Sequence, residues 1–249
     1  MPVFSLRPRR TGIFQAIPNP FARQMVTTPL VVFDLDGTLV DTAPDLVAGL
    51  NHAVRQAGLE PVTYHDLTHL VGHGAQAMIE RTWKMRGKAL TPEELKWQMK
   101  EFVDFYYGSM PGESLPYPGA TEALDRFQEA GIGLAVCTNK PEMLAKRLLE
   151  GLGLADRFAC ITGGDTLPVR KPDREHLLET IRLAKGDPAR SVMVGDSLND
   201  MLVARNAGIP SIAVPFGYSD VPVADLQPDH IVSHFSELTP ELVGRLTGN

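Results

Sequence analysis

The sequence predicts an α/β protein in which a doubly wound, Rossmann-like parallel sheet carries an inserted all-helical domain. Three observations predict this fold class. Short apolar segments alternate with amphipathic segments over most of the 249 residues, the alternation stops between residues 42 and 116, and motifs with charged or polar residues follow three of the apolar segments. A chain of this length can bury the core of one large α/β domain, or of a core domain and a smaller one.

Four apolar segments predict buried strands of a parallel sheet, because strands covered on both faces are apolar nearly throughout. They are LVVF at 30–33, IGLAV at 132–136, SVMV at 191–194 and SIAV at 211–214. Helical segments lie between these strands, with apolar residues at three- and four-residue spacing and a terminating glycine nearby. The predicted helices are 121–131, 141–153, 172–186 and 198–208. Regular alternation favours right-handed βαβ units and therefore a doubly wound sheet.

The segment 42–116 contains no strand-like run and predicts an all-helical insertion. Its three helical patterns cover 43–58, 63–85 and 91–110. Thr42 and Asp45 have the spacing of a capping box at the start of the first helix. The insertion is either a lateral packing module or a lid over the strand ends, and we favour the lid because ligands of open α/β sheets bind there.

The first 24 residues differ in composition from the rest of the chain. They contain four arginines, no acidic residue and four prolines, which break long helices. This composition favours a mobile extension of residues 1–24 over a targeting leader, which is typically also Ser-rich and amphipathic.

Composition also limits the partners that we expect. The chain has 24 Lys and Arg against 30 Asp and Glu, a net charge of −6, which disfavours a nucleic-acid partner. Cys137 and Cys160 are the two cysteines and predict two buried free thiols in a reducing compartment. No apolar segment approaches the ~20 residues that span a bilayer. We expect a cytoplasmic protein with no membrane partner, and the sequence leaves open whether it forms a homo-oligomer.

Three carboxylates follow the first predicted strand, where an unpaired charge beside the core would cost several kcal/mol. Asp34 and Asp36 therefore require a cation, whereas Asp41, with Thr42, suits the start of a helix. The EF-hand spacing is absent, because Gly37 is fourth rather than sixth. Asp196, at the end of another predicted strand, adds an oxygen ligand, and oxygen ligands without His or Cys favour Mg²⁺.

A cation and an anion-binding helix start complete the predicted site. Lys171 supplies the positive charge, and Thr138 and Asn139 supply a hydroxyl and amides at a strand end. Pro141 then begins a helix, whose free N–H groups favour an anion. Acidic residues, Mg²⁺, a lysine and a helix N-terminus together predict a phosphoryl-transfer site.

Four motifs in this order resemble the haloacid dehalogenase (HAD) superfamily with an α-helical cap. They are DLDGT at 34–38, TN at 138–139, KP at 171–172 and GDSLND at 195–200. Longer strings such as DLDGTLVDTAPDL resemble the bacterial phosphoglycolate phosphatases within it. The resemblance covers about residues 29–239 and implies a HAD-like core, residues 25–41 and 117–249, with a helical cap, residues 42–116.

The resemblance also implies a role for each motif residue. Asp34 is the nucleophile that forms an aspartyl-phosphate, and Asp36 is the general acid and then the general base. The carboxylates of Asp34 and Asp196 and the backbone carbonyl of Asp36 hold Mg²⁺.

The resemblance also implies roles for the remaining motif residues, in phosphate binding and in its support. Thr138 and Asn139 hydrogen-bond its oxygens, and Lys171 neutralises both phosphate and nucleophile. Asp200 orients Lys171 or a metal-bound water, although an acid in the first turn of a helix also has a purely structural explanation.

The expected activity is the Mg²⁺-dependent hydrolysis of a small phosphorylated metabolite, with 2-phosphoglycolate as the first choice. Other small-molecule phosphatase or pyrophosphatase activity, a phosphosugar mutase and a catalytically idle phosphate-sensing or partner-binding module stay open as alternatives. In the cap, His73, Arg81 and Lys84 are weaker candidates for substrate contact, since exposed charges are common on helices. Relatives commonly have His-Pro after the KP motif, whereas this chain has Asp173 and Arg174.

Overall fold

Six parallel strands form the central sheet in the computed structural model, which describes residues 28–67 and 74–248. The described residues form eight strands, two of which lie outside this sheet. In chain order they are β1 (Thr28–Phe33), β2 (Val40–Asp41), β3 (Leu115–Pro116), β4 (Gly133–Cys137), β5 (Cys160–Thr162), β6 (Gly186–Gly195), β7 (Ser211–Ala213) and β8 (His230–Ile231). The sheet has the order β5-β4-β1-β6-β7-β8, while β2 and β3 form a separate antiparallel ribbon. The chain fills one side of β1 and then the other, so a crevice opens beyond the carboxyl end of β1.

Helices pack on both faces of this sheet and also form the insertion. In chain order they are α1 (Ala43–Gln56), α2 (Tyr64–Leu67), α3 (Ala75–Met85), α4 (Pro92–Ser109), α5 (Ala120–Glu129), α6 (Glu142–Gly151), α7 (Arg174–Leu183), α8 (Leu198–Ala207) and α9 (Pro240–Thr247). Side chains of β1 alternate between two cores. Val31 and Phe33 belong to the core that contains α5 and α6, whereas Leu30 and Val32 belong to the core that contains α7 and α8. The predicted doubly wound α/β fold class is confirmed.

Four predicted strands and four predicted helices of the sheet correspond to β1, β4, β6, β7 and to α5–α8. The prediction did not include β5, β8, α9 or the β2–β3 ribbon. The ribbon pairs Val40 with Pro116 and Asp41 with Leu115, so both ends of the helical insertion leave the sheet side by side.

In the order of the chain, helices α1–α4 come between β2 and β3. Helix α1 packs on α4, and Gly49 permits this approach because a Cβ there would lie 3.3 Å from a ring carbon of Phe102. The second helical pattern is divided into α2 and α3, with residues 68–73 outside the described part of the chain. Gly74, at a φ of 88°, cannot belong to a right-handed helix, so α3 begins only at Ala75.

The predicted capping box of α1 is wrong. Thr42 is the N-cap residue, but its side chain makes no capping hydrogen bond. The hydroxyl of Tyr218 instead accepts from the backbone N–H groups of Thr42 (2.7 Å) and Ala43 (2.9 Å) and donates to Oδ1 of Asp41 (2.6 Å). The carboxylate of Asp45 is used elsewhere, because it accepts from the turn before β3, including the Ser114 N–H at 2.7 Å. A distant tyrosine thus replaces the local cap.

Several sequence predictions have a limited structural outcome. Residues 1–24 and His73 lie outside the described residues. The domain boundaries stay predictions. Cys137 and Cys160 are free thiols, as expected, but Cys137 is buried whereas Cys160 is partly exposed. Within residues 28–67 and 74–248, none of the helices combines the length and apolar character that crossing a bilayer requires.

Candidate active site

A cavity of about 610 Å³ lies beyond the carboxyl ends of β1, β4 and β6 and beneath the helical insertion. The core contributes its polar wall and the insertion much of its apolar wall. The cap residues include Leu46, Met78, Met99, Phe102, Val103 and Tyr106. The core residues include Asp34, Asp36, Thr138, Asn139, Lys171 and Asp196. The parallel sheet therefore brings six of the seven predicted site residues to one cavity, since parallel strands end at the same edge.

Asp34 directly follows β1, and its backbone N–H donates to the carbonyl of Val194 in β6 at 2.9 Å. Its side chain lies in a buried position with Nζ of Lys171 2.8 Å from Oδ1. That buried oxygen has no well-aligned hydrogen bond among the described residues. Burial raises the pKa of Asp34 to about 6, with the charge of Asp200 adding to the effect and Lys171 opposing it. The ionised form therefore needs further positive charge nearby.

Asp196 is held at the end of β6 by two loops. The Thr38 hydroxyl donates to its Oδ1 at 2.9 Å, and the Tyr218 N–H donates to its Oδ2 at 2.7 Å. Gly37 is required beside it, because a Cβ there would lie 2.5 Å from Oδ2 and the φ of Gly37 is +82°. Burial, followed by the charges of Asp200 and Asp34, raises the pKa of Asp196 to about 8.

Lys171 and Asp200 form a buried pair behind Asp34. Nζ of Lys171 donates to Oδ1 of Asp200 at 2.6 Å, and Oδ2 of Asp200 accepts from the N–H (3.0 Å) and hydroxyl (2.6 Å) of Ser197. Burial disfavours the ammonium, but Asp200 and Asp34 more than offset it and raise the pKa of Lys171. Asp200 thus both contacts the lysine and lies in the first turn of α8, so the two explanations of this residue are compatible.

The carboxylates of Asp34, Asp196 and Asp200 fit a divalent cation. Each offers one oxygen, and these atoms all lie within 4.8 Å of one another at buried positions. Lys171 pairs with Asp34 and Asp200, Asp196 has no ion pair within residues 28–67 and 74–248, and the ligand atoms are all oxygen. Hard oxygen ligands suit Mg²⁺. Asp34 and Asp196 line the cavity, whereas Asp200 is not among the described residues that line it, so Asp34 and Asp196 are the carboxylates best placed to serve as ligands.

Known proteins with similar sequences identify the family. The sequence model of the haloacid dehalogenase-like hydrolases matches residues 31–214 of the chain. The protein belongs to this family. The predicted HAD resemblance is therefore confirmed.

Relatives within this HAD family share most of their length with the chain. The phosphoglycolate phosphatase of Agrobacterium fabrum is 57% identical over 219 residues, which cover 88% of this chain and 94% of the relative. That of Mesorhizobium japonicum is 49% identical, with 89% and 97% covered. The crystal structure of a predicted phosphoglycolate phosphatase from Haemophilus somnus is similar at 31% identity and a TM-score of 0.79, with 85% of this chain and 96% of that chain covered.

The second HAD motif has an arrangement that the sequence does not reveal. Thr138 is buried and its hydroxyl oxygen accepts from the Lys140 N–H at 3.2 Å. The side-chain amide of Asn139 donates to the carbonyl of Lys171 at 3.0 Å, while its Oδ1 is buried without a hydrogen-bond partner among the described residues. In this structure, the Asn139 amide nitrogen therefore braces the Lys171 loop. A phosphate contact of Thr138 or Asn139 stays a prediction.

Sequence reasoning missed Lys140, which lies between the motif residues Asn139 and Pro141. Its ammonium is buried, 2.9 Å from Oδ1 of Asp36, and donates to the hydroxyl of Tyr106 at 2.7 Å. Burial disfavours its charge, but Asp36 more than offsets this and raises the pKa of Lys140. Its place at a strand end, directly after a motif, was the signal that could have found it.

The other candidates of the HAD cap and of the KP loop differ in position. Arg81 and Lys84 are exposed and are not among the described residues that line the cavity. Asp173, which stands where relatives commonly have His, is the N-cap of α7, and its side chain accepts from the Glu175 N–H at 2.9 Å. Arg170, which the prediction did not include, lines the cavity.

Proposed function

We propose that this HAD-like hydrolase is a Mg²⁺-dependent phosphatase that hydrolyses 2-phosphoglycolate to glycolate and phosphate through an aspartyl-phosphate. The observation that carries the proposal is the buried group of Asp34, Asp196 and Asp200 beside one cavity, with Lys171 paired to Asp34 and Asp200. The substrate rests on the phosphatase names of the relatives with 57% and 49% identity.

Asp34 acts as the nucleophile in this mechanism. A carboxylate oxygen attacks phosphorus while the bond to the ester oxygen breaks in line with it. Lys171, 2.8 Å from Oδ1, keeps Asp34 ionised and neutralises charge on the phosphoryl group. Mg²⁺, held by the carboxylates of Asp34 and Asp196 and by the backbone carbonyl of Asp36, supplies the remaining positive charge for the clustered oxygens.

Asp36 handles the protons in both halves of the reaction. As a general acid it donates a proton to the leaving oxygen of glycolate, which departs as an alcohol. As a general base it then takes a proton from the water that attacks the phosphoryl group on Asp34. Phosphate leaves, the Asp34 carboxylate is restored and Asp36 has regained its proton. Thr138 and the backbone of Asn139 bind phosphoryl oxygens.

The charges that line the cavity support an acidic substrate. Its cationic side chains are Lys140, Lys171 and Arg170 among the described residues. Lys140 pairs with Asp36, and Lys171 pairs with Asp34 and Asp200, whereas no ion pair of Arg170 occurs in the described parts of the chain. A substrate with a second anionic group, such as the carboxylate of 2-phosphoglycolate, would find this remaining charge at Arg170.

A phosphate-release assay over small phosphoesters tests the proposal. The purified protein is supplied with 2-phosphoglycolate, sugar phosphates, nucleotides or pyrophosphate, with Mg²⁺ or with EDTA. We expect the highest kcat/KM for 2-phosphoglycolate and no turnover in EDTA. Preference for another phosphoester would overturn the substrate but keep the phosphatase, and isomerisation of a sugar phosphate without phosphate release would indicate a mutase. Absence of any turnover would favour the idle module.

The proposed partner is accordingly a small phosphorylated metabolite. A cytoplasmic location stays a prediction, and the oligomeric state stays open.

A further inference from the structure

Tyr106 is a cap residue whose hydroxyl contacts Lys140 of the core, next to the second motif. It belongs to α4, only 1% of it is exposed, and it packs against Phe102 with ring centroids 5.6 Å apart. Its hydroxyl accepts a hydrogen bond from Nζ of Lys140 at 2.7 Å. The same ammonium lies 4.5 Å from the centroid of the Tyr106 ring. Tyr106 therefore holds the end of Lys140 with both its oxygen and its ring.

Lys140 passes this constraint to Asp36. Nζ of Lys140 donates to Oδ1 of Asp36 at 2.9 Å, and the hydroxyl of Thr42 donates to the same oxygen at 2.7 Å. In residues 28–67 and 74–248, no hydrogen bond reaches Oδ2 of Asp36. Oδ1 is thus fixed as the acceptor, and Oδ2 is the oxygen available to carry a proton.

The constraint depends on Tyr106 because a lysine side chain has little orientation of its own. Its four-carbon stem is flexible, and its ammonium rotates freely among acceptors. At this site the ammonium is buried, with 3% of the side chain exposed, so water contributes little to its placement. Two groups position it: the carboxylate of Asp36 and the hydroxyl of Tyr106. Removal of the hydroxyl leaves the ion pair but loosens its geometry.

We propose that Tyr106 is a positioning residue for the acid–base step, because it holds Lys140 on Oδ1 of Asp36 and so presents Oδ2 to the leaving group. This inference rests on the proposed function, in which Asp36 is the general acid. The proton on Oδ2 moves to the ester oxygen while the bond from that oxygen to phosphorus breaks. Lys140 and Tyr106 keep their own protons throughout.

The test uses leaving groups of similar shape and different basicity. A series of substituted phenyl phosphates runs from phenyl phosphate, whose leaving oxygen needs a proton, to 2,4-dinitrophenyl phosphate, whose leaving oxygen does not. For Tyr106→Phe we expect kcat/KM to fall about 10-fold or more with phenyl phosphate and less than about 2-fold with the dinitrophenyl ester, because only the proton transfer is impaired. The dependence of log kcat/KM on leaving-group pKa therefore becomes steeper.

Tyr107→Phe is the matched control, since it removes the same atom from the next residue of α4, which is 41% exposed. We expect it to retain the wild-type slope. An equal loss of kcat/KM across the series in Tyr106→Phe would indicate a merely structural role and overturn the proposal, as would an unchanged slope without loss.

A double variant tests the path through Lys140. Lys140→Met should steepen the slope at least as much as Tyr106→Phe does, and the second substitution should then add less than about 2-fold, since coupled residues are not additive. Additive effects would show that Tyr106 acts by another route. The wild-type protein tests the proposed function separately: if it fails on 2-phosphoglycolate but turns over the phenyl series, only the substrate is overturned. If it hydrolyses neither, both proposals are overturned.

Discussion

Asp34 shows how one residue bears opposing demands. Burial and the charge of Asp200 raise its pKa to about 6, whereas the proposed reaction needs its ionised form. For Asp34→Asn we expect kcat to fall by about 10³-fold or more, because the amide is not a nucleophile. The melting temperature in Mg²⁺-free buffer should stay unchanged or rise, since one of three crowded carboxylates has lost its charge while Lys171 keeps Asp200 as its partner.

The measurement combines steady-state phosphate release with a thermal melt. Asp173→Asn is the matched control, because the exposed Asp173 is an N-cap and asparagine caps helices equally well. It should retain kcat within about 2-fold. Wild-type turnover by Asp34→Asn would contradict the covalent mechanism.

Arg170 belongs to the same scale but concerns substrate choice. For Arg170→Gln we expect KM for 2-phosphoglycolate to rise about 10-fold while kcat changes less than about 2-fold. The reason is that Arg170 would bind the carboxylate equally strongly in the ground state and in the transition state. Ethyl phosphate, which lacks the carboxylate, should show no change in KM. Parallel initial-rate measurements on the two esters check this, and an equal rise in KM for both would assign Arg170 to the phosphate instead.

The sequence predicted the individual site residues unevenly. Asp34 and Asp196 follow apolar strands, and the common edge of a parallel sheet was sufficient to expect them together. Lys140 was missed because a lysine is exposed by default, and its burial depends on Tyr106, which lies 34 residues away in the chain. Asp45 was assigned to a local cap, whereas its partners Glu113 and Ser114 come from the far end of the insertion.

At the scale of an element, the start of α1 depends on a loop from the other side of the sheet. The Tyr218 hydroxyl accepts from the N–H groups of Thr42 and Ala43, and both residues are fully buried. Tyr218→Phe would leave the Thr42 N–H without an acceptor, whereas the Ala43 N–H keeps a longer hydrogen bond to Oδ1 of Asp41 at 3.3 Å. We expect the free energy of unfolding to fall by about 1–3 kcal/mol, since an unsatisfied buried group costs about that much.

Urea denaturation measures this loss. Tyr107→Phe again serves as the control, and its exposed ring predicts a change below about 0.5 kcal/mol. Equal stabilities of the Tyr218→Phe and wild-type proteins would mean that water or another group replaces the tyrosine at the N-terminus of α1.

The elements that the sequence predicted are those with enough residues to carry a pattern. Helices α5–α8 each have 10 residues and a buried face, whereas β8 and both strands of the ribbon have two residues. Two residues show no periodicity, and the ribbon forms only because Val40 and Pro116 meet in the folded chain. The break before α3 depends on Gly74, whose positive φ is a property of the folded backbone.

For the whole molecule, the crowded carboxylates predict how stability depends on pH and on Mg²⁺. The pKa values of Asp34 and Asp196 are raised from 3.8 to about 6 and about 8. The folded protein therefore holds protons that the unfolded chain releases above a pH of about 4, so the contribution of these two carboxyls to metal-free stability should fall as the pH rises from about 4 to about 8. Mg²⁺ replaces these protons as the compensating charge, and its stabilising effect should be largest at and above pH 8.

Thermal melts from pH 5 to pH 9, with Mg²⁺ or EDTA, check this expectation. A Mg²⁺ concentration of about 100 times the Kd at pH 8 should raise the Tm by about 5–10 °C at that pH. The same concentration should raise the Tm much less at pH 5. Asp196→Asn should lose most of this shift because it removes a metal ligand. An equal effect of Mg²⁺ on the Tm at both pH values would show that Mg²⁺ does not compete with protons for these two carboxyls.

At the β2–β3 ribbon the chain leaves the core for the helical insertion and returns from it. Asp41 and Leu115 are paired there, so the segment between them begins and ends at neighbouring positions. Insertions are tolerated where the two chain ends lie close together, because the host sheet need not be rethreaded. The cap of a relative, grafted at this ribbon, should therefore fold onto the same core. In evolutionary terms, one phosphoryl-transfer chemistry can be kept while the exchangeable module above it is redirected to new substrates.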